Sequence, residues 1–575
     1  MTAQVEEDQV TVPVTEPTGV ASPVLEPGRH HLLWPVIGGS LVALGIAAGL
    51  LGRAWLLTHV TLDSDQAVVG LMAHEILHGH FTAFFWGQAY GGVEPFVVAA
   101  VFGVAGQSSL SLTIVPAILM GVTALLTWRA ALRLVDDRWI AALAGVVVWT
   151  VPMFGATNTT EYGFHNVALL IGVATLLMSL RVLDGHATYL DLAGFGLLVG
   201  LGWWASPEAV FFLVPSALLF LGAAVGTWKA RGPRFWLPRI GVSLIGAAVG
   251  ALPWLWANVP NGFPSLDSSR VTLSDYGGYV SHLHVFFVDV LPLQLGLHRT
   301  IDGRPLLPGV LGLVTEVLVL GALVLSIVVC LVQGGRGRAL AVALLAFPFL
   351  YAIDPLAWWW NDGRYSMYLP PLAVLTVVMG CERVARLITA GWRPHGHSRG
   401  SAVNRAQGGA RVAVAVLMVI VLSSAATGFA WLVSQSPYGL LERNPNATTQ
   451  QQIRILERDR IRVGYANYWV AYKLDFLSGG DLTFSPTPWD EIRSASIADQ
   501  VAREARPAWL FVPPAHMAVA GAQFGTLNLQ AGQLHEAALA RSLSERGIPY
   551  SIVHAGLFDA IVPHQKLTPE QVSPG

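Results

Sequence analysis

Carboxylates, imidazoles and a few arginines recur in the polar intervals between long apolar runs. The first interval, residues 53–109, holds Asp63, Asp65, His74, Glu75, His78, His80, Tyr90 and Glu94. The second carries Asn158 and Glu161, with His165 and Asn166 just inside the next run. Glu208 follows Pro207 at another corner, and DPLAWWWNDGRY ends in Arg364 and Tyr365. A carboxylate within reach of a hydroxyl can take its proton as the oxygen attacks. A guanidinium binds phosphate oxygens in a fork, and positive charge eases the departure of a phosphate. Acids and histidines together can also hold a divalent ion.

Each residue also has a plain structural reading. Asp65 stands where a helix begins, and Asp suits an N-cap. Glu94 and Glu208 fit helix starts, where acids are favoured. Glu161 suits an interfacial acid and Arg364 an arginine reaching for headgroups. Trp358, Trp359 and Trp360 suit sugar faces or an interfacial belt. The pentapeptide His74-Glu75-Ile76-Leu77-His78 reads H-E-x-x-H, which on a helix puts two zinc ligands on one face beside a general base. A zincin needs a third protein ligand. The chain continues GHFTAFFWG after His78, without a histidine at the metzincin offset. A distant acid could serve instead, so a membrane-embedded zinc metalloprotease is the alternative reading.

The elements that position these residues are membrane helices. The chain has 575 residues, 53% hydrophobic and 12% charged, with mean hydropathy +0.54, whereas soluble domains carry about 25% charged residues. The net charge of −2 offers no electrostatic case for nucleic acid. Cys330 and Cys381 both lie in apolar runs, which argues against structural disulfides and zinc ribbons. Residues 1–30 have a disordered composition, and the first apolar run reads as a retained span rather than a signal peptide. At about 20 residues per crossing, the pattern predicts eleven spans, near 32–52, 110–132, 139–157, 164–182, 189–205, 208–227, 240–257, 308–332, 338–353, 366–387 and 411–433.

Arginine and lysine collect in alternate loops: Arg129 to Arg138, Arg181, Lys229 to Arg239, Arg336 and Arg338, and the basic stretch 391–411. The positive-inside rule makes that side cytoplasmic, with the N-terminus on it. The run VEPFVVAAVFGVAG, 93–106, is short for a span, and counting it as one would invert every later loop. It is expected as a juxtamembrane or re-entrant helix on the outer face, together with a helix over 66–80. The tail, 436–575, alternates helix-like and strand-like segments and predicts a small extracytoplasmic α/β domain with a mainly parallel sheet. None of its helices opens on a nucleotide-binding glycine motif, so no nucleotide cofactor is expected.

Residues 30–435 resemble the GT-C glycosyltransferases. They are most similar to the branch that uses polyprenyl-phosphate-linked sugars, which includes protein O-mannosyltransferases and the lipid A aminoarabinose transferase (glycosyltransferase family 39-like). The resemblance rests on layout and on Ser64-Asp65-Gln66-Ala67 followed by Ile76-Leu77-His78-Gly79. It implies a multi-span α-helical membrane domain, 31–435, with a catalytic first outer loop, 53–109. It also implies an inverting transfer from a polyprenyl-phosphate sugar to a lipid, polysaccharide or protein acceptor at the plasma membrane. Asp65 would be the essential acid and Glu161 the second acid. Glu161, Arg364, Tyr365, Glu94 and His165 are candidates for binding substrate. Asp65, Glu161, His74 and His78 are candidate ligands for a divalent cation such as Mg or Mn. Gln66 departs from the pattern, since many relatives have Glu there.

Overall fold

The computed structural model describes residues 30–151, 153–161, 163–185, 187–266, 277–299, 302–355, 363–391, 399–435, 445–524 and 535–572. The chain enters through α1 (His30–His59). Two short helices, α2 (Ser64–Leu77) and α3 (Glu94–Ala105), follow before α4 (Ser109–Ala131). Next come α5 (Arg138–Thr150), α6 (Met153–Glu161), α7 (Gly163–Leu183), α8 (Tyr189–Ala205), α9 (Val210–Arg231), α10 (Pro233–Gly250) and α11 (Leu252–Asn258). The bundle ends with α12 (Gly278–Val285), α13 (Leu291–Gln294), α14 (Gly309–Gln333), α15 (Gly335–Tyr351), α16 (Leu369–Gly391) and α17 (Arg399–Gln435).

All eleven expected spans fall on helices. Among the described residues, however, six helices are long and apolar enough to cross a membrane, and up to eight if each bent pair is one span. The expected span 139–157 is two helices, α5 and α6, inclined at 73°. Between them Val151 has φ 24°, a strained value for a β-branched residue that ends the regular helix. The expected span 240–257 likewise bends by 60° between α10 and α11. Pro253, in the first turn of α11, has no N–H to continue the preceding ladder. The run 93–106 is the twelve-residue α3, about 18 Å at helical rise and short for the bilayer core.

Close backbone approach holds α8 to α10. A Cβ on Gly196 would lie 1.8 Å from the Ser243 carbonyl oxygen, and one on Gly250 would lie 2.2 Å from that of Leu197. Small residues of this kind let membrane helices meet backbone to backbone.

The basic residues gather at one end of the bundle. Arg133 and Arg336 both pair with Asp184. Arg386 lies 2.7 Å from Asp136, and Arg411 lies 2.7 Å from Asp137. The Trp34 indole N–H of α1 also donates to Asp137, at 3.1 Å. The C-terminus of α1, with α2 and α3, lies at the other end.

The C-terminal domain runs α18 (Ala447–Arg458), β1 (Val463–Tyr465), α19 (Tyr468–Leu477), β2 (Thr483–Ser485), α20 (Ala495–Arg503) and β3 (Ala508–Phe511). Then follow α21 (Met517–Phe524), α22 (Glu536–Glu545), β4 (Tyr550–Ala555) and β5 (Phe558–Pro563). The sheet order is β2-β1-β3-β5-β4. Its β2-β1-β3 half is parallel, with Gly464 opposite Phe484 and Ala508, and its β3-β5-β4 half is antiparallel. The expected mainly parallel sheet is therefore mixed. Only Gly556 and Leu557 link β4 to β5, and a two-residue turn allows only an antiparallel pair.

This domain is seated on α2. Tyr468, Tyr472 and Phe476 of α19 join the core of the helical bundle. Phe476 fills the space over Gly70, where a Cβ would come within 2.4 Å of its ring. Thr61 donates to the Gln523 carbonyl at 3.2 Å, and Ser64 donates to the Tyr468 carbonyl at 2.8 Å.

Candidate active site

The first turn of α2 sets the geometry. Asp63, not Asp65, is the N-cap: its carboxylate accepts from the Gln66 N–H at 2.8 Å. The Gln66 amide oxygen accepts from the Asp63 N–H at 3.2 Å. This reciprocal capping box works with Gln or Glu at its third position, so Gln66 keeps what a glutamate would do there. Asp65 is thereby released from capping.

Three groups converge on Asp65. The Tyr468 hydroxyl donates to its Oδ1. Arg364 Nη1 lies 3.6 Å from Oδ2, and Arg493 Nη2 lies 3.9 Å from Oδ1. Arg493 is held from several sides. Its backbone N–H donates to the Tyr472 hydroxyl at 2.7 Å, and Nη1 pairs with Glu491 at 2.8 Å. Its guanidinium also lies over the rings of Phe85 and Tyr468, 5.4 and 5.6 Å from their centroids. Burial, with the Asp65 charge beside it, pushes the Asp63 carboxyl up to about 7.

A crevice of about 10 Å³, room for about one water molecule, lies beside Asp65 between α2, α4 and the start of α7. Gln66, Val69, Leu112, Pro116 and Phe164 line it, and the Glu94 carboxyl lies along it. Glu94 is 3% exposed. Burial, with Asp63 nearby, pushes its carboxyl up to about 8, against the stabilising hydrogen bond from the Phe164 N–H. Its carboxyl occupies the space beside Gly163, where a Cβ would lie 1.6 Å from Oε1. Beyond this, His165 Nδ1 lies 3.3 Å from the Tyr368 hydroxyl and 3.8 Å from Glu208 Oε1. The Tyr365 ring meets His165 edge-on at 5.7 Å, so Arg364 and Tyr365 bridge the Asp65 and His165 clusters.

The expected residues are thus partly brought together. Asp65 and Arg364 meet directly, Glu94 lines the same crevice, and Tyr365 and His165 pack beside it. Glu161 ends α6, and its side chain lies outside the described residues, as do Trp358, Trp359, Trp360 and Asp362. Among the described residues, the expected cation ligands Asp65, His74 and His78 do not gather around one ion. His74 lies nine positions after Asp65 on α2, so at about 100° per residue the two occupy opposite faces. His78, thirteen positions on, is displaced by about 220° in the same way. His74 Nδ1 is 2.7 Å from Gln107, and His78 Nδ1 is 2.8 Å from the His74 carbonyl. Glu75 pairs with His80 at 2.6 Å. Among the described residues no three His, Cys, Asp or Glu side chains form a group that could hold a metal ion. The zincin reading lacks its third ligand there as well.

Tyr468 and Arg493 were not foreseen. They lie in the tail, 403 and 428 positions after Asp65. One signal pointed to Tyr468: Tyr468, Tyr472 and Phe476 recur every fourth residue, an aromatic stripe that calls for an apolar partner.

The architecture is that of the GT-C membrane glycosyltransferases. ArnT from Cupriavidus metallidurans in the apo state matches with a TM-score of 0.54 at 11% identity, covering 93% of this chain and 99% of that one. The same protein bound to undecaprenyl phosphate matches at 0.53 and 11% identity, covering 93% and 98%. A fainter likeness, at 0.45 and 13% identity over 84% and 71%, is to an Archaeoglobus fulgidus oligosaccharyltransferase. Residues 93–255 match the family model of dolichyl-phosphate-mannose-protein mannosyltransferases. No curated protein sequence matches the chain.

Proposed function

We propose that the chain is an inverting glycosyltransferase. It moves a sugar from a polyprenyl-phosphate-linked donor to an acceptor hydroxyl at the outer face of the plasma membrane. The observation that carries this reading is the convergence of Arg364, Arg493 and Tyr468 on Asp65 at the first turn of α2. The family match and the GT-C fold support it. The basic end of the bundle supports a cytoplasmic N-terminus, which puts Asp65 outside.

The acceptor oxygen attacks the anomeric carbon and gives its proton to Asp65. The bond from that carbon to the phosphate oxygen breaks, and polyprenyl phosphate leaves with the bonding pair. Arg364 and Arg493 balance Asp65 in the free protein. A bound phosphate offers both guanidinium groups an alternative to Asp65 and leaves Asp65 to Tyr468 and the acceptor. No step is routed through a metal ion, because His74 and His78 lie away from Asp65.

The test is incubation of purified protein with a panel of polyprenyl-phospho-sugars, with and without chelator, following sugar transfer or release and the anomeric form of the product. Asp65→Asn should lower turnover by about 100-fold or more, in line with loss of a general base. Failure to turn over any donor would sink the proposal.

A further inference from the structure

A second cavity lies in the C-terminal domain, away from the crevice beside Asp65. It measures about 440 Å³, within the roughly 300–1,000 Å³ of small-molecule sites. Tyr465 ends β1 and Phe511 ends β3, and both line it. It therefore opens beyond the carboxyl ends of the parallel strands, where open α/β sheets bind ligands.

The lining combines two kinds of group. Trp489 and Phe511 supply aromatic surface, and the buried rings of Tyr465 and Trp509, 4.5 Å apart, belong to its wall. Asp490 and Glu536 supply carboxylates, and among the described residues the one basic side chain lining the cavity is His535. The indole N–H of Trp509, in a side chain 1% exposed, has no protein acceptor. Buried donors of this kind are usually matched by a partner.

Aromatic faces carry negative potential and attract the weakly positive C–H faces of a sugar ring. Carboxylates accept hydrogen bonds from its hydroxyls. The same carboxylates, with no lysine or arginine beside them among the described lining residues, disfavour phosphate and carboxylate groups. We infer that this cavity is a saccharide site for a neutral glycan segment of the acceptor. Its link to the membrane site is short. The Asp490 carboxylate accepts from the Tyr468 N–H at 2.9 Å, and the Tyr468 hydroxyl reaches Asp65. Assigning the glycan to the acceptor rests on the proposed transfer, whereas its binding does not.

The experiment is saturation-transfer NMR on the full chain in nanodiscs free of glycoside detergent. The probes are mannobiose, cellobiose and mannose 6-phosphate. At least one neutral disaccharide should bind saturably, and mannose 6-phosphate should bind at least tenfold more weakly. Trp489→Ala and the near-isosteric Glu536→Gln should each weaken disaccharide binding at least tenfold, while Asp65→Asn should bind as wild type does. Absence of neutral disaccharide binding, equal affinity in both cavity variants, or tighter binding of the phosphate ester would overturn the inference. Intact disaccharide binding in a protein that turns over no donor would leave the site standing and remove only the transfer reading.

Discussion

At the scale of single residues, the spacing of Asp63, Asp65 and Gln66 decides their roles. Asp63 and Gln66 satisfy the first turn of α2, so Asp65 is available to Tyr468 and the arginines. Asn caps a helix as well as Asp does. Asp63→Asn should therefore keep transfer within about threefold of wild type while Asp65→Asn loses it, and initial rates on a single donor separate the two. Glu94 permits a pH test. Its folded carboxyl is raised to about 8, so the protonated form is favoured in the folded protein. Its contribution to stability is full below the unfolded value of about 4.5 and is lost as pH rises through 8. Glu94→Gln removes that loss. Melting temperatures from pH 5 to 9 should show the variant gaining on wild type up to about pH 8 and then running parallel. A constant offset over the whole range would refute the assignment.

At the scale of elements, the contact between α2 and α19 joins the two halves of the site. It depends on Gly70, whose missing side chain admits the Phe476 ring. Gly70→Val would push α19 away and carry Tyr468 and Arg493 from Asp65. Overpacking of this kind costs about 1–3 kcal/mol. We expect a lower melting temperature and at least tenfold slower transfer. A double variant with Phe476→Ala should recover part of the rate, because it reopens the space. Recovery of neither property would mean that this contact does not set the geometry. The pattern of this pair was half legible. The aromatic stripe of α19 announced an apolar partner, but nothing in α2 named it, since a glycine leaves no hydrophobic signal.

At the scale of the whole molecule, the gathering of arginines at one end predicts which side faces the cytoplasm. Cysteine labelling in intact cells checks it against a background variant without Cys330 and Cys381. His78→Cys, on an exposed turn, should react with a membrane-impermeant thiol reagent. Arg231→Cys should react only after lysis, and the reverse pattern would turn the site to the inside. The number of crossings was less legible. Hydropathy registers how much apolar chain is present, but not the bends of 73° and 60° that break two runs.

The sequence by itself determined the membrane class, the two ends of the bundle and the short helix at 94–105, while Asp65 as the acid to watch came from the resemblance to a family. The first three follow from local quantities: apolar run length and charge per loop. The hairpin of β4 and β5 was equally local, though its consequence for the sheet went unread. Only the tertiary structure decided that Asp65 is met by Tyr468 and Arg493 from more than 400 positions away, and that His74 and His78 face away from it. The physical reason is that such encounters arise from domain packing and helical phase. A pentapeptide that suits zinc in isolation says nothing of where a third ligand lies, and only the packed chain answers that.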